Sequence, residues 1–146
     1  MTTDWQLTVD CARPTSLAAF WAAALGYVTA PPPPGFATWE VWLRAQDVPE
    51  DEWDTGAVIS DPKGVLPAVS FLQVPEEKRG KNRLHLDLQV GGGRQLPWEE
   101  RWPRVLVEVQ RLVGLGGSLL SEVPGRDGRG DHVVLADPEG NEFCVL

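Results

Sequence analysis

Asp61-Pro62-Lys63-Gly64 and Asp137-Pro138-Glu139-Gly140 are one phrase written twice, and each stands between two apolar runs. Ala57-Val58-Ile59 and Ala68-Val69-Ser70-Phe71-Leu72 flank the first; Val133-Val134-Leu135-Ala136 and Phe143-Cys144-Val145-Leu146 flank the second. Proline presets φ at the second position of a tight turn and glycine suits its end, so each phrase predicts a β-hairpin. Working outward, a helical run closed by Leu-Gly precedes each hairpin, at Leu25-Gly26 and at Leu115-Gly116. Before each helix lies a strand-like run, Trp5 to Cys11 and Leu84 to Leu88. One supersecondary unit, ordered strand, helix, strands, therefore occurs twice, and internal repetition is a stronger architectural clue than any single propensity.

Within the first unit Pro14 suits a first helical turn, and Leu17, Phe20, Trp21, Ala24 and Leu25 fall on one helical face. Gly26 can take the left-handed position that ends the helix. Pro31 to Pro34 cannot pair as a central strand. Gly35 to Thr55 is the least repeat-like stretch; with Trp39, Trp42 and Trp53 in it, it is expected to fold back over the body. In the second unit Trp102, Val105, Leu106, Val109, Leu112 and Val113 mark a helix with Pro103 in its first turn, and Gly125 to Gly130 is a polar turn. Trp21 and Trp102 are expected in the core. The chain ends inside a strand, so truncation at its C-terminus is expected to be harmful.

At 146 residues and a net charge of −8 from 13 basic and 21 acidic side chains, the composition argues against a nucleic-acid or anionic-membrane partner. No apolar stretch is long enough to span a bilayer. Met1-Thr2-Thr3-Asp4 lacks the basic-then-apolar pattern of a signal peptide, and Cys11 and Cys144 lie in no disulfide or metal-knuckle pattern, so reduced thiols in a cytoplasm are expected. Asp47, Glu50, Asp51, Glu52 and Asp54 read as a solvated acidic loop. Lys78 to Arg83 is the one basic cluster, either an exposed link between the units or a grip on a carboxylate or phosphate.

Alternation places His85 and Asp87 on one strand face and Leu84, Leu86 and Leu88 on the other; Gln6, Thr8 and Asp10 repeat the pattern. Such a sheet has a polar side and a side against helices. His85 and Asp87 can orient a polar ligand, or His85 can move a proton; the plain alternative is hydrogen-bonded polar residues beneath loops. His132 reads as structural. No nucleophile elbow or phosphate-cradling glycine loop occurs, since Gly91-Gly92-Gly93 lacks the helix and lysine that such a loop needs.

Leu17 to Tyr27, Lys81 to Leu88 and Ala136 to Val145 together resemble the glyoxalase-like proteins of the vicinal-oxygen-chelate superfamily, which includes glyoxalase I, extradiol dioxygenases and bleomycin-resistance proteins. The resemblance covers nearly the whole chain. It implies an α+β fold of two βαβββ modules forming a curved, incompletely closed mixed β-barrel with helices outside: module 1–77, a basic linker 78–82 and module 83–146. It also implies a pocket between the modules. In metal-dependent relatives four ligands line that pocket, one on the first and one on the last strand of each module. By position the first-strand ligands fall at Gln6 and His85. The last-strand ligand of the second module falls at Cys144, where an acid is expected, and its counterpart lies in the acid-free stretch from Ala68 to Gln73. Such sites want carboxylate or imidazole, so no firm metal site and no cofactor are expected, unless Cys144 as a thiolate or Glu142 rescues one.

The ligand-binding residues expected from this reading are Gln6, Trp39, Trp42, Phe71, Gln73, His85, Asp87, Glu142 and Cys144, with His85 the candidate catalytic group. Sequestration of a small polar or aromatic compound is the first functional expectation, since it needs only an apolar pocket with a few placed polar groups. A metal-independent lyase or isomerase using His85 comes second, and a divalent-metal glyoxalase or dioxygenase-type enzyme third. The resemblance further implies a homodimer.

Overall fold

A computed structural model describes all residues, 1–146, and divides them into two compact units, Met1–Glu77 and Lys78–Leu146. Each unit is a βαβββ module with a four-stranded mixed sheet.

The first unit runs β1 (Leu7–Cys11), α1 (Pro14–Leu25), β2 (Val28–Thr29), α2 (Trp39–Ala45), a 3₁₀ turn (Glu50–Thr55), β3 (Gly56–Ser60) and β4 (Val69–Gln73). Its sheet order is β1-β4-β3-β2, with β1 parallel to β4 and the other pairs antiparallel. Pro14 opens α1, and Gly26 at φ 70° closes it while the Tyr27 amide donates to Ala22 O at 2.9 Å. Leu17, Ala18, Phe20 and Trp21 are buried, as are Ile59, Val69 and Phe71 on one face of the sheet. Burial of a Phe71-sized side chain contributes roughly 2–3 kcal/mol. Strict alternation leaves Val58, Ser70 and Leu72 on the opposite face.

The second unit runs β5 (Asp87–Leu88), α3 (Trp98–Gly114), β6 (Ser118–Pro124), β7 (Gly130–Ala136) and β8 (Glu142–Val145), in sheet order β5-β8-β7-β6 with β5 parallel to β8. Trp102, Val105, Val109 and Leu112 on α3 and Val133, Leu135, Phe143 and Val145 on the sheet make its core. The twin turns owe their likeness to aspartate. The Asp61 carboxylate accepts from the amides of Lys63, Val65 and Leu66, and that of Asp137 from the amides of Glu139 and Asn141. Gly64 and Gly140 sit at φ 65° and 82°, where a side chain is strained.

Three local expectations need correction. The run Leu84 to Leu88 is a ladder only at Asp87–Leu88, and Leu84 is 77% exposed rather than packed on a helix. β1 begins at Leu7, leaving Trp5 exposed. Pro103 lies inside α3, which begins a turn earlier, just after Pro97. The stretch from Gly35 to Thr55 contains a helix, capped by Thr38 Oγ1 accepting from the Val41 amide at 3.3 Å. No helix is long and apolar enough to cross a membrane.

Candidate functional site

The first unit carries a cavity of about 710 Å³ on the sheet face that alternation turns away from the buried side chains. Thr8, Val58, Ser70 and Leu72 contribute from the strands, and α2 with the 3₁₀ turn supplies a wall of Trp39, Trp42, Leu43, Val48 and Trp53. Trp39 and Trp42 meet edge to face at 5.5 Å and 89°. The Trp39 indole N–H donates to Ala30 O at 2.7 Å and that of Trp53 to Val48 O at 3.1 Å. Both rings are thus pinned by their polar edges and offer apolar faces, a use of tryptophan that suits ligand walls. Hydroxyls of Thr8, Thr29, Thr55 and Ser70 add polar points, and Glu52 is the one ionisable side chain of the lining.

Of the residues expected at the site, Trp39, Trp42 and Phe71 line this cavity. Phe71 does so while 1% exposed, as a core residue. Gln6 is exposed, its amide 3.5 Å from Ser70 Oγ. Gln73 ends β4, with its amide donating to Ala12 O at 3.1 Å.

His85, Asp87 and Cys144 cluster in the second unit, their imidazole nitrogen, carboxylate oxygen and sulfur all within 4.8 Å of one another. His85 Nε2 stands 3.3 Å from Asp87 Oδ1, and both side chains are about half exposed. Burial pushes the Cys144 thiol up, and the neighbouring Asp87 carboxylate raises it further. Glu142 precedes Cys144 by two residues; its carboxylate pairs with Lys81, and its amide donates to Asn82 Oδ1 at 3.2 Å. The Lys81 hydrogen bond, aided by the charges of Lys81, Lys78 and His85, holds the Glu142 carboxyl below its usual range. His132 Nδ1 lies 3.0 Å from Asp131 Oδ2, on β7.

Metal-dependent members of the superfamily that this chain resembles use a divalent cation, and the donors present here test whether one would fit. One imidazole, one carboxylate and one thiol whose proton is held tightly do not suit a hard ion such as manganese or magnesium, which prefers oxygen. A thiophilic ion would first have to displace the thiol proton.

Glu52 reads as solvated and is exposed, yet it also borders the cavity, and Leu43, Val48 and Ser70 join the lining without being expected there. The available signal was tryptophan interleaved with acids from Asp47 to Asp54, together with the polar parity of Thr8 beside Gln6.

Solved structures similar to this chain share its fold and little sequence. A glyoxalase/bleomycin resistance protein/dioxygenase family enzyme from Burkholderia phytofirmans PsJN aligns at TM-score 0.62 and 14% identity, over 98% of this chain and 97% of that one. A hypothetical protein from S. aureus aligns at TM-score 0.57 and 17% identity, over 100% and 97%. A mutant fosfomycin resistance protein from Listeria monocytogenes, complexed with Mn(II) and 1S,2S-dihydroxypropylphosphonic acid, aligns at TM-score 0.59 and 13% identity, over 99% and 90%. No curated protein matches the chain in sequence. The glyoxalase-like domain profile, in contrast, matches residues 6–146, from just before β1 to the end of β8, and on that match the chain belongs to the glyoxalase-like domain family.

Proposed function

We propose that this is a cytoplasmic binding protein that sequesters a small aromatic compound in the tryptophan-walled cavity of its first unit, without a strong metal site. The observation that carries the reading is the set of three indoles, Trp39, Trp42 and Trp53, around about 710 Å³ of space floored by a sheet. Apolar walls with a few fixed polar points are what small-molecule capture requires. A phosphonate of the kind bound by the listerial relative is a poorer match, because no lysine or arginine lines this cavity. The test is mass spectrometry of whatever leaves the purified protein on denaturation, joined to calorimetry with that compound. Recovery of a stoichiometric aromatic compound that binds the wild type and fails to bind a folded Trp42→Leu variant is expected. Absence of any compound, with no binding across a panel of aromatic solutes, overturns the reading.

The His85–Asp87 pair favours a second reading, a metal-independent lyase or isomerase. A carboxylate beside an imidazole fixes the ring's orientation and tautomer, which is what a proton-moving histidine needs. Turnover of the recovered compound, lost in His85→Ala with binding unchanged, would establish it. Turnover that depends on an added divalent cation would establish the third reading instead.

A further inference from the structure

We propose that the occupant of the first unit's cavity is a small organic cation with an aromatic or apolar body. The inference rests on the sequestration reading above and names its ligand class. Charge is distributed very unevenly between the units. Residues 1–77 carry 11 acidic and 3 basic side chains, a net −8, whereas residues 78–146 carry 10 of each. The whole net charge of the chain therefore belongs to the unit that holds the cavity. Five of those acids, Asp47, Glu50, Asp51, Glu52 and Asp54, lie on the segment that forms the cavity wall.

Within the lining, Glu52 is the only charged side chain. Its neighbour Glu50 is matched by Arg44 at 3.1 Å, whereas Glu52 has no such partner. A lone carboxylate beside low-dielectric walls focuses a negative potential into the space, which attracts cations and repels anions. The indoles act in the same direction, because the face of a tryptophan ring is its negative side. The chain itself uses this property: the Arg44 guanidinium stands 5.0 Å from the centroid of Trp53, on the same wall. A ligand with a charged nitrogen near Glu52 and a flat body against Trp39 and Trp42 would satisfy every feature of the lining at once. A neutral aromatic would leave the charge complementarity unused.

Three probes of one shape separate these possibilities: (2-naphthylmethyl)trimethylammonium, 2-naphthalenemethanol and 2-naphthalenesulfonate. Calorimetry on the full chain should rank them cation, alcohol, sulfonate, with the cation at least about ten-fold tighter than the alcohol, the effect of one carboxylate and one ring face. Added salt should narrow that gap. Glu52→Gln, an exposed position, should reduce it to within about three-fold. Equal affinity for cation and alcohol, or a preference that survives Glu52→Gln, overturns the proposal. If all three bind alike and a folded Trp42→Leu or Trp39→Phe variant loses them, the sequestration reading stands and the charge inference alone falls. If none binds, both fall. Cation binding that appears only on dilution assigns the cavity to a second copy of the chain and also overturns the proposal.

Discussion

Asp87 and Cys144 are register partners across the parallel pair β5–β8, and Cys144 carries a thiol that this carboxylate makes harder to ionise. The larger cause is burial, and Asp87 adds to it. Both disfavour the thiolate, the nucleophilic form. Cys144 should therefore react with iodoacetamide more slowly than glutathione at about pH 8, where an ordinary thiol is already partly ionised. Asp87→Asn should speed the reaction without matching glutathione, since burial remains. Peptide mapping of the alkylated sites checks this; a Cys144 that outpaces glutathione would refute it.

The same chemistry bears on metal. Protein purified without chelators or affinity tags should hold less than about a tenth of an equivalent of nickel, zinc, iron or manganese, because only three donors converge, His85 and Asp87 are half exposed, and the Cys144 thiol must first give up its proton. Elemental analysis decides it. Stoichiometric metal that disappears in His85→Ala would sink the prediction and promote the metal-dependent reading.

The repeat was legible because its punctuation is chemical. Aspartate, proline and glycine at Asp61 to Gly64 and Asp137 to Gly140 act locally, on their own amides, so no tertiary knowledge was needed. Trp21 and Trp102, expected in the core, are each 6% exposed. The cavity wall was less legible. Trp39 and Trp53 are placed by donation to the carbonyls of Ala30 and Val48, contacts that no periodicity encodes. Glu52 read as solvated and is exposed; that it also borders the cavity depends on which way a 3₁₀ turn faces. The first strand of the second unit was legible in place but not in length: alternation of His85, Leu86 and Asp87 predicts a strand face, but the ladder holds only Asp87 and Leu88, paired with Cys144 and Val145 of β8.

Acid should weaken the first hairpin turn through Asp61. Backbone hydrogen bonds from the amides of Lys63 and Leu66, with that of Val65, hold its carboxyl below the usual range. A lowered folded value stabilises the folded form above the unfolded value of 3.8, and that stabilisation is lost as pH falls through the folded value. The melting temperatures of wild type and Asp61→Asn should therefore differ most near neutral pH and converge toward about pH 2. A difference that stays constant over that range would contradict the assignment.

A homodimer is expected at micromolar concentration. β6 is a sheet edge of seven residues with Leu119 and Leu120 exposed at 56% and 50%, and long apolar edges invite pairing. Light scattering should give about twice the 16.0 kDa of the chain. The double variant Leu119→Lys, Leu120→Lys should give the single-chain mass. A wild-type protein that stays at the single-chain mass throughout would refute the prediction.

Gly130→Ala should be among the most damaging single-methyl changes in the second unit. A Cβ at position 130 would lie 2.1 Å from Cζ2 of Trp102 and 2.5 Å from Cε2 and Cη2. Trp102 cannot retreat freely, being 6% exposed and stacked on Trp98 at 6.1 Å, while the Trp98 indole N–H donates to Gly130 O at 2.8 Å. Relief requires moving β7, the strand that pairs with both β6 and β8, away from α3. Overpacking of this kind costs roughly 1–3 kcal/mol or more. Chemical denaturation of the full chain measures it, and Gly114→Ala is the control, since nothing lies within 4 Å of the methyl it would add inside the last turn of α3. There the exchange should be neutral or slightly stabilising, because alanine is the better helix former by about 1 kcal/mol. Equal stability of the two variants would mean that the contact between Gly130 and Trp102 does not constrain the second unit.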